Sequence, residues 1–322
     1  MNNLKTVQFR ELVRYATLAP SSHNTQCWKF RIEDQSISIL PDLSRRCPVV
    51  DPDDHHLYVS LGCAAENLIQ AAQAQGLSAK YTFDTADDGA LRIVLEPAPA
   101  IVTPLFEAIP YRQCTRAEYD GQPLRTEEIQ LLETAGTGNG VRVKMLTTRN
   151  AIETVIDYVV QGNTAQMNNP AFMRELKSWI RFSDREATRT GDGLSGRTTG
   201  NPSIPRWIGN LFAKLLFRAQ PENAKNIRYI RSSAGIAVFV SDVDDKAHWV
   251  EAGRCYERFA LQATALGIRN AFVNQPVEEA SLRPAFAKAL GLGASRPDLV
   301  VRFGRGEEMP RSLRRSLEAV IV

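Results

Sequence analysis

The feature that most constrains this chain is a helix that occurs twice. Tyr58–Leu77 reads Y-V-S-L-G-C-A-A-E-N-L-I-Q-A-A-Q-A-Q-G-L, and Trp249–Ile268 reads W-V-E-A-G-R-C-Y-E-R-F-A-L-Q-A-T-A-L-G-I. Without a gap, Gly62 matches Gly253, Glu66 matches Glu257, Leu68 matches Phe259, Ala72 matches Ala263, Ala74 matches Ala265 and Gly76 matches Gly267, at an offset of 253 − 62 = 191. Ala-rich helices closed by Gly share some positions by chance, but an unbroken run of this length favours duplication. Upstream, Glu11–Leu18 aligns with Glu128–Ala135 at an offset of 128 − 11 = 117. The offsets differ by 191 − 117 = 74, so the second half carries an insertion of about that size, placed mostly at Gln161–Gln220.

Apolar periodicity fills in the rest. Phe9, Leu12, Val13 and Ala16 recur at helical spacing, and Lys29–Ile39 reads as strand, turn, strand. Asp53 or Asp54 is placed to cap the helix Leu57–Gly76. Lys80–Asp84 and Ala90–Glu96 flank a D-D-G turn and predict a hairpin. Helices are expected over Thr126–Ala135 (capped by Thr126), Ala151–Val160, Ala171–Phe182, Trp207–Phe217, His248–Gly267 and Ser281–Gly291, and strands over Val141–Thr147, Ile236–Val240 and Leu299–Phe303. Ser316–Val322 reads as a terminal strand. Gly191–Pro205, with four Gly and two Pro, reads as a mobile loop.

Composition excludes several classes. A net charge of +3 on 322 residues gives no global signal for nucleic acid. The five cysteines are scattered with no C-x-x-C, which suits a reducing cytoplasm and not a disulfide or zinc framework. No signal peptide or membrane span is visible. His55 and His56 in D-P-D-D-H-H-L read as a solvated helix start with no third ligand, so no metal site is assigned. No G-x-S-x-G, P-loop or G-x-G-x-x-G is present.

The stretch Ala19–Phe30, A-P-S-S-H-N-T-Q-C-W-K-F, carries more recognition chemistry than a turn needs. Asn24 and Gln26 each combine a donor and an acceptor on one planar group, suited to the edge of a heterocycle. Ser21 and Ser22 suit a hydroxylated chain or a phosphate, His23 suits ring or substrate, and Trp28 and Phe30 suit anchoring. Its order resembles the flavin-binding loop of the nitroreductase family, A-P-S-x-x-N-x-Q-P-W, with Cys27 in place of the family's Pro. Arg112-x-Cys114-x-Arg116 resembles the family's phosphate-holding R-x-S-x-R, with Cys for Ser. P-R-S-L-R-R-S-L-E-A-V resembles the family's K-x-R-R-P-L-E-E-V and nominates Arg314 and Arg315, with Arg311 beside them; the other reading of Arg302, Arg305 and this run is a solvated basic tail. Asn274 and Gln275 fall where the family's loop lies by the flavin N5. The first half keeps the ring-facing loop and the second keeps the phosphate clamp.

The resemblance implies an α+β, nitroreductase-like fold: two duplicated lobes with antiparallel sheets flanked by helices, 1–104 and 105–322, forming a pseudo-dimer with one flavin site. The two-lobed form resembles the Acg-like branch of the family. It implies FMN as cofactor, NAD(P)H as transient reductant, and a small-molecule acceptor of nitroaromatic or quinone type, with no catalytic side chain. It implies no nucleic-acid or membrane partner, and a monomer or weak homodimer. The alternatives are a flavin-sequestering protein whose insertion, with Trp179, Ile180, Phe182 and Trp207, covers the site, and a flavin-free interaction protein.

Overall fold

The computed structural model describes residues 3–85, 89–200, 203–207 and 218–322. Helix α1 (Asn3–Ala16) buries Phe9, Leu12, Val13 and Ala16, as the spacing requires. Strands β1 (Trp28–Ile32) and β2 (Ser36–Pro41) follow, then helix α2 (His55–Ala74), then β3 (Leu77–Asp84) and β4 (Ala90–Pro97). These strands form one antiparallel sheet in the order β1-β2-β4-β3. After α3 (Pro104–Ala108) come α4 (Thr126–Gly136) and β5 (Val141–Leu146). The insertion then supplies α5 (Arg149–Asn168), α6 (Pro170–Trp179), β6 (Ile180–Arg181), α7 (Asp184–Thr190), β7 (Leu194–Ser195), α8 (Gly196–Thr199) and α9 (Ala219–Arg231). Strand β8 (Gly235–Ser241), helix α10 (Lys246–Ala265), β9 (Arg269–Phe272), α11 (Gln275–Glu278), α12 (Arg283–Ala289) and β10 (Arg296–Gly304) complete the second half.

The second sheet is also antiparallel, in the order β5-β8-β10-β9. Both sheets therefore run first-second-fourth-third, with a leading helix before the first strand and a long helix between the second and third. The chain is α+β, and one strand order recurs in its two halves.

The long helices α2 and α10 pack against each other at the centre. A Cβ on Gly62 would lie 2.0 Å from the carbonyl oxygen of Val250, and one on Gly253 would lie 1.9 Å from that of Val59. The matched glycines are thus the points where two backbones touch, closer than any side chain permits. His55 to Ala72 is buried without interruption, which makes α2 a core helix rather than an amphipathic one. One apolar core runs from Phe9 and Trp28 through Leu61 and Leu68 to Tyr256, Phe259 and Phe303. The second sheet is covered on its other face by α5, α9 and α12, so β8 and β10 are buried at every residue. The chain's end adds to the first sheet, because Phe30 N–H donates to Val320 and Val322 N–H donates to Phe30.

Three local expectations change. Helix α4 is closed by Glu128, whose carboxylate accepts the Arg125 N–H at 3.0 Å, and not by Thr126. Asp54 occupies the cap position of α2 at φ +60° without a side-chain bond to the helix; Asp51 accepts the N–H groups of His56 and Leu57 instead. Trp207 is 69% exposed; the rest of the helix expected over Trp207–Phe217 lies outside the described residues.

Gly62→Ala should force the central helices apart. We expect a loss of at least about 3 kcal/mol in chemical denaturation, at the upper end of core overpacking. Gly267→Ala has open space around a φ of +69° and should cost only about 1 kcal/mol.

Candidate functional site

Two adjoining cavities lie where the Ala19–Phe30 loop meets β9, β10 and the insertion. The larger, about 410 Å³, is walled by Pro20–His23, by His56, Val59, Ser60 and Cys63 of α2, by Ala271–Gln275, and by Met167, Phe172, Leu176, Ile180 and Phe182 of the insertion. The smaller, about 90 Å³, is walled by Ser21, Asn24, Arg112, Cys114, Arg116, Arg311 and Arg314. Pro20, Ser21, Arg116, Leu194 and Phe272 line both, so the two are one continuous site.

The loop is strained. His23, Asn24 and Gln26 all have left-handed backbones, at φ +49°, +56° and +53°. None is glycine, so the surroundings must hold the conformation. Trp28 and Phe30 anchor it, both fully buried. Ser21 accepts the Gln26 N–H at 2.8 Å while lining both cavities, and Ser22 lines the larger.

Asn24 and Gln26 are committed to protein. The Asn24 amide donates to Gly193 and Leu313 and accepts from Arg314. Gln26 is fully buried, donates to Gly191, accepts the Arg315 N–H, and lines neither cavity. These amides therefore tie the insertion and the C-terminal segment to the loop, rather than facing a heterocycle.

The insertion is pinned where the sequence predicts mobility. Asp192 is buried between Arg45 and Arg181 in two ion pairs. β7 pairs with β6 in parallel. Gly191–Thr199 is thus an ordered wall, and Leu194 reaches both cavities.

The basic residues divide by what their guanidinium groups are bonded to. Arg112 is 6% exposed, sits 3.1 Å from buried Glu257 and donates to the Leu18 carbonyl, yet its Nη1 has no hydrogen-bond partner among the described residues. Arg116 makes no hydrogen bond or ion pair to a described residue and lines both cavities. Arg314 lines the small cavity but spends its donors on Thr17, Leu18, Ala19 and neighbouring oxygens; burial, then Arg112, pulls its pKa down to about 10. Arg315 bonds Gln26 and Ala319 and lines neither cavity. Arg311 lines the small cavity and donates to Pro110. Arg302 is no tail residue: it is 2% exposed in β10, holds the carbonyls of Thr115 and Ala117, and stacks on Tyr119. Cys114 lines the small cavity, 3.9 Å from the Tyr256 hydroxyl.

Asn274 and Gln275 line the larger cavity, and the Gln275 Oε1 is buried without a partner among the described residues. Sequence reasoning missed Tyr229, Phe272, Asn163, Gln166 and Glu278, which belong to the same wall.

His55 and His56 are also corrected: both are buried, not solvated. His55 Nε2 lies 2.9 Å from Asp298, and His56 Nδ1 lies 3.5 Å from Asp51. Asp51, His55 and His56 bring three potential ligand atoms within 4.8 Å of one another. Both Asp51 oxygens already accept backbone N–H groups, so the cluster reads as a hydrogen-bond network.

Burial, then the Arg116 cation, pulls the His23 imidazole down to about pKa 4. The folded state therefore keeps it neutral while the unfolded chain takes up a proton near pH 6.5. Its contribution to stability is complete above pH 6.5 and is lost as pH falls to about 4, amounting to about 3 kcal/mol. His23→Asn, which tolerates the left-handed backbone, should flatten the acid limb of a denaturation-against-pH series by that amount.

Among the described residues no helix is long and apolar enough to cross a membrane. No protein-family model matches the chain. Two Mycobacterium tuberculosis proteins, from strains CDC 1551 and H37Rv and provisionally named NAD(P)H nitroreductases, are each 28% identical to it, over 97% of this chain and 90% of theirs. Among solved structures, an FMN-dependent nitroreductase from Mycobacterium smegmatis in complex with NADPH aligns at 13% identity and a TM-score of 0.43, over 67% of this chain and 96% of that one. A Bacteroides fragilis nitroreductase with bound FMN aligns at 14% identity and 0.40, over 67% and 95%. The similarity to proteins named as nitroreductases thus extends over nearly the whole chain.

Proposed function

We propose that the protein is an FMN-dependent NAD(P)H oxidoreductase that passes electrons to a small nitroaromatic or quinone-type acceptor. One observation carries the reading: the buried Arg112 Nη1 lacks a hydrogen-bond partner among the described residues and stands with Arg116 in a small cavity opening into a larger one. A phosphate in the small cavity would use both arginines, and a flat ring would fit between Pro20–His23 and Ala271–Gln275. Guanidinium forks suit a phosphate dianion. When bound, the flavin supplies the redox chemistry, and these residues supply binding and orientation. Ser21, Ser22 and Cys114 are placed for the phosphate and ribityl region, and Asn274 and Gln275 for the ring. The recurring strand order supports the division into lobes 1–104 and 105–322 around one such site. An absorbance spectrum followed by anaerobic NADPH tests the reading: a yellow protein that bleaches is expected, and a colourless one would reject it.

Arg116→Ala is the cleaner clamp variant, because removing Arg112 strands Glu257, whose pKa burial already pushes up to about 7. Charge-assisted bonds contribute about 1.5–3 kcal/mol. FMN binding should weaken by roughly 10- to 100-fold, while riboflavin binding should barely change in the same titration.

The second reading, a flavin-sequestering protein with little turnover, is favoured by the pinned insertion. Asp192 holds Arg45 and Arg181, and Arg45 and Arg181 flank Trp179. Asp192→Asn should loosen this cover. If the cover limits access, stopped-flow bleaching by NADPH should accelerate several-fold with circular dichroism unchanged. An unchanged rate in a folded variant would leave the wall as packing only.

A further inference from the structure

Two hydrogen-bonding side chains, Asn274 and His56, meet in the wall of the larger cavity. Asn274, 9% exposed, has its amide fixed: the Val300 N–H donates to its Oδ1 at 2.9 Å, so its NH2 turns toward His56 Nε2. The two nitrogens are 3.4 Å apart, a long hydrogen bond whose donor depends on the His56 protonation. Both residues line the cavity. On its other side His56 meets the Asp51 carboxylate, which two backbone N–H groups hold in place at 3.0 Å. That pairing keeps the Nδ1 proton on the ring. A neutral His56 accepts from the Asn274 NH2 at Nε2, and a charged one presents Nε2–H to the cavity beside that NH2, two donors for one incoming oxygen.

Resting on the reductase reading, we propose that His56 Nε2 and Asn274 Nδ2 form a subsite for a carbonyl oxygen of a quinone-type acceptor, and that His56 gives that oxygen its proton. The balance is simple. Hydride from the reduced flavin brings two electrons and one hydrogen to the quinone, leaving a hydroxyphenolate. The Nε2–H bond breaks, its proton forms the second O–H of the hydroquinone, and the imidazole is reprotonated from water. Asp51 is a positioning residue, since it acts through His56.

The charges around His56 support this. Burial opposes the imidazolium, but the hydrogen bond and charge of Asp51 offset it, and the pKa stands above its ordinary value. Glu278 of α11 adds to the same effect, and Arg296 of β10 opposes it. His55 lies 3.4 Å from His56 Nδ1 and is held neutral by burial, then by His56. His23, across the cavity, is neutral as well. The proton is thus held to higher pH than on an ordinary imidazole, and it is lost as pH rises through the His56 pKa.

The test has two arms. In the first, histidine ring 15N NMR follows His56 while 1,4-naphthoquinone is added to the oxidised protein. The His56 Nε2 resonance should move on quinone addition; no movement, or movement with FMN alone and none further with quinone, overturns the subsite. In the second, His56→Gln keeps a donor but has no transferable proton. Oxidation of the reduced protein by quinone should slow by at least roughly 30-fold, within the range of general-acid contributions. Quinone Kd should change by less than about 3-fold, and the decline in rate at alkaline pH should vanish. An unchanged rate and pH profile overturns proton delivery. Asn274→Asp keeps the Val300 bond while replacing the NH2 donor by an acceptor. Its quinone affinity should fall at least about 10-fold, and an unchanged affinity overturns the subsite even where His56→Gln does not fold. A wild-type protein that binds no flavin defeats the reductase reading and proton delivery with it, and the NMR arm then decides the oxygen subsite alone.

Discussion

The site exists because two helix backbones touch. Gly62 and Gly253 let α2 and α10 approach until each carbonyl of Val59 and Val250 lies where a side chain would begin. That approach fixes one sheet against the other, since each sheet packs on its own long helix. It also aims the ends of α2. Its N-terminal turn, with His56, Val59, Ser60 and Cys63, becomes a wall of the larger cavity, facing Ala271–Gln275 from the second half. A cavity walled by both halves needs a rigid joint between them. Close backbone contact is stiffer than interdigitated side chains, which can change rotamer.

The Ala19–Phe30 loop depends on that joint and on two later segments. Its left-handed residues are held by bonds from elsewhere: Gly191 and Gly193 of the insertion, and Leu313 to Arg315 near the chain's end. The loop is therefore not preformed by its own sequence. Its Gln26 amide is tied to segments 165 and 289 positions away. Strain held in this way marks places where a fold positions groups for a ligand.

Much of this was legible in the sequence. The repeat located the paired long helices, the apolar runs gave both sheets, and the motifs gathered Ser21, Ser22, Arg112, Cys114, Arg116 and Asn274 around one site. What was not legible depended on long-range partners. Asn24 and Gln26 have the chemistry to read a heterocycle, and nothing local says that their amides are taken by Gly191, Gly193 and Arg315. Arg302 looks like part of a basic tail until β10 is seen between two other strands. His55 and His56 look solvated because D-P-D-D-H-H is polar, yet Asp51 and Asp298 supply buried partners that cover their polarity. Gly191–Pro205 is poor in apolar residues, and the expectation of mobility overlooked that one buried aspartate between two arginines can fix a Gly-rich turn.

The electrostatics of the small cavity give the last step. Arg112, Arg116, Arg311 and Arg314 surround it, while the one buried carboxylate beside them, Glu257, is pushed toward its neutral form by burial. Arg314 is saturated by carbonyl oxygens at the end of α1, which satisfy its donors without cancelling its charge. Positive charge is thus concentrated around one small cavity, with Arg112 buried in its wall. Elsewhere Arg181 is paired with Asp192 and Arg254 with Glu66 and Glu251, whereas Arg116 has no carboxylate partner among the described residues. Leaving the cavity under-neutralised costs stability in the empty protein, and a bound dianion would offset that cost.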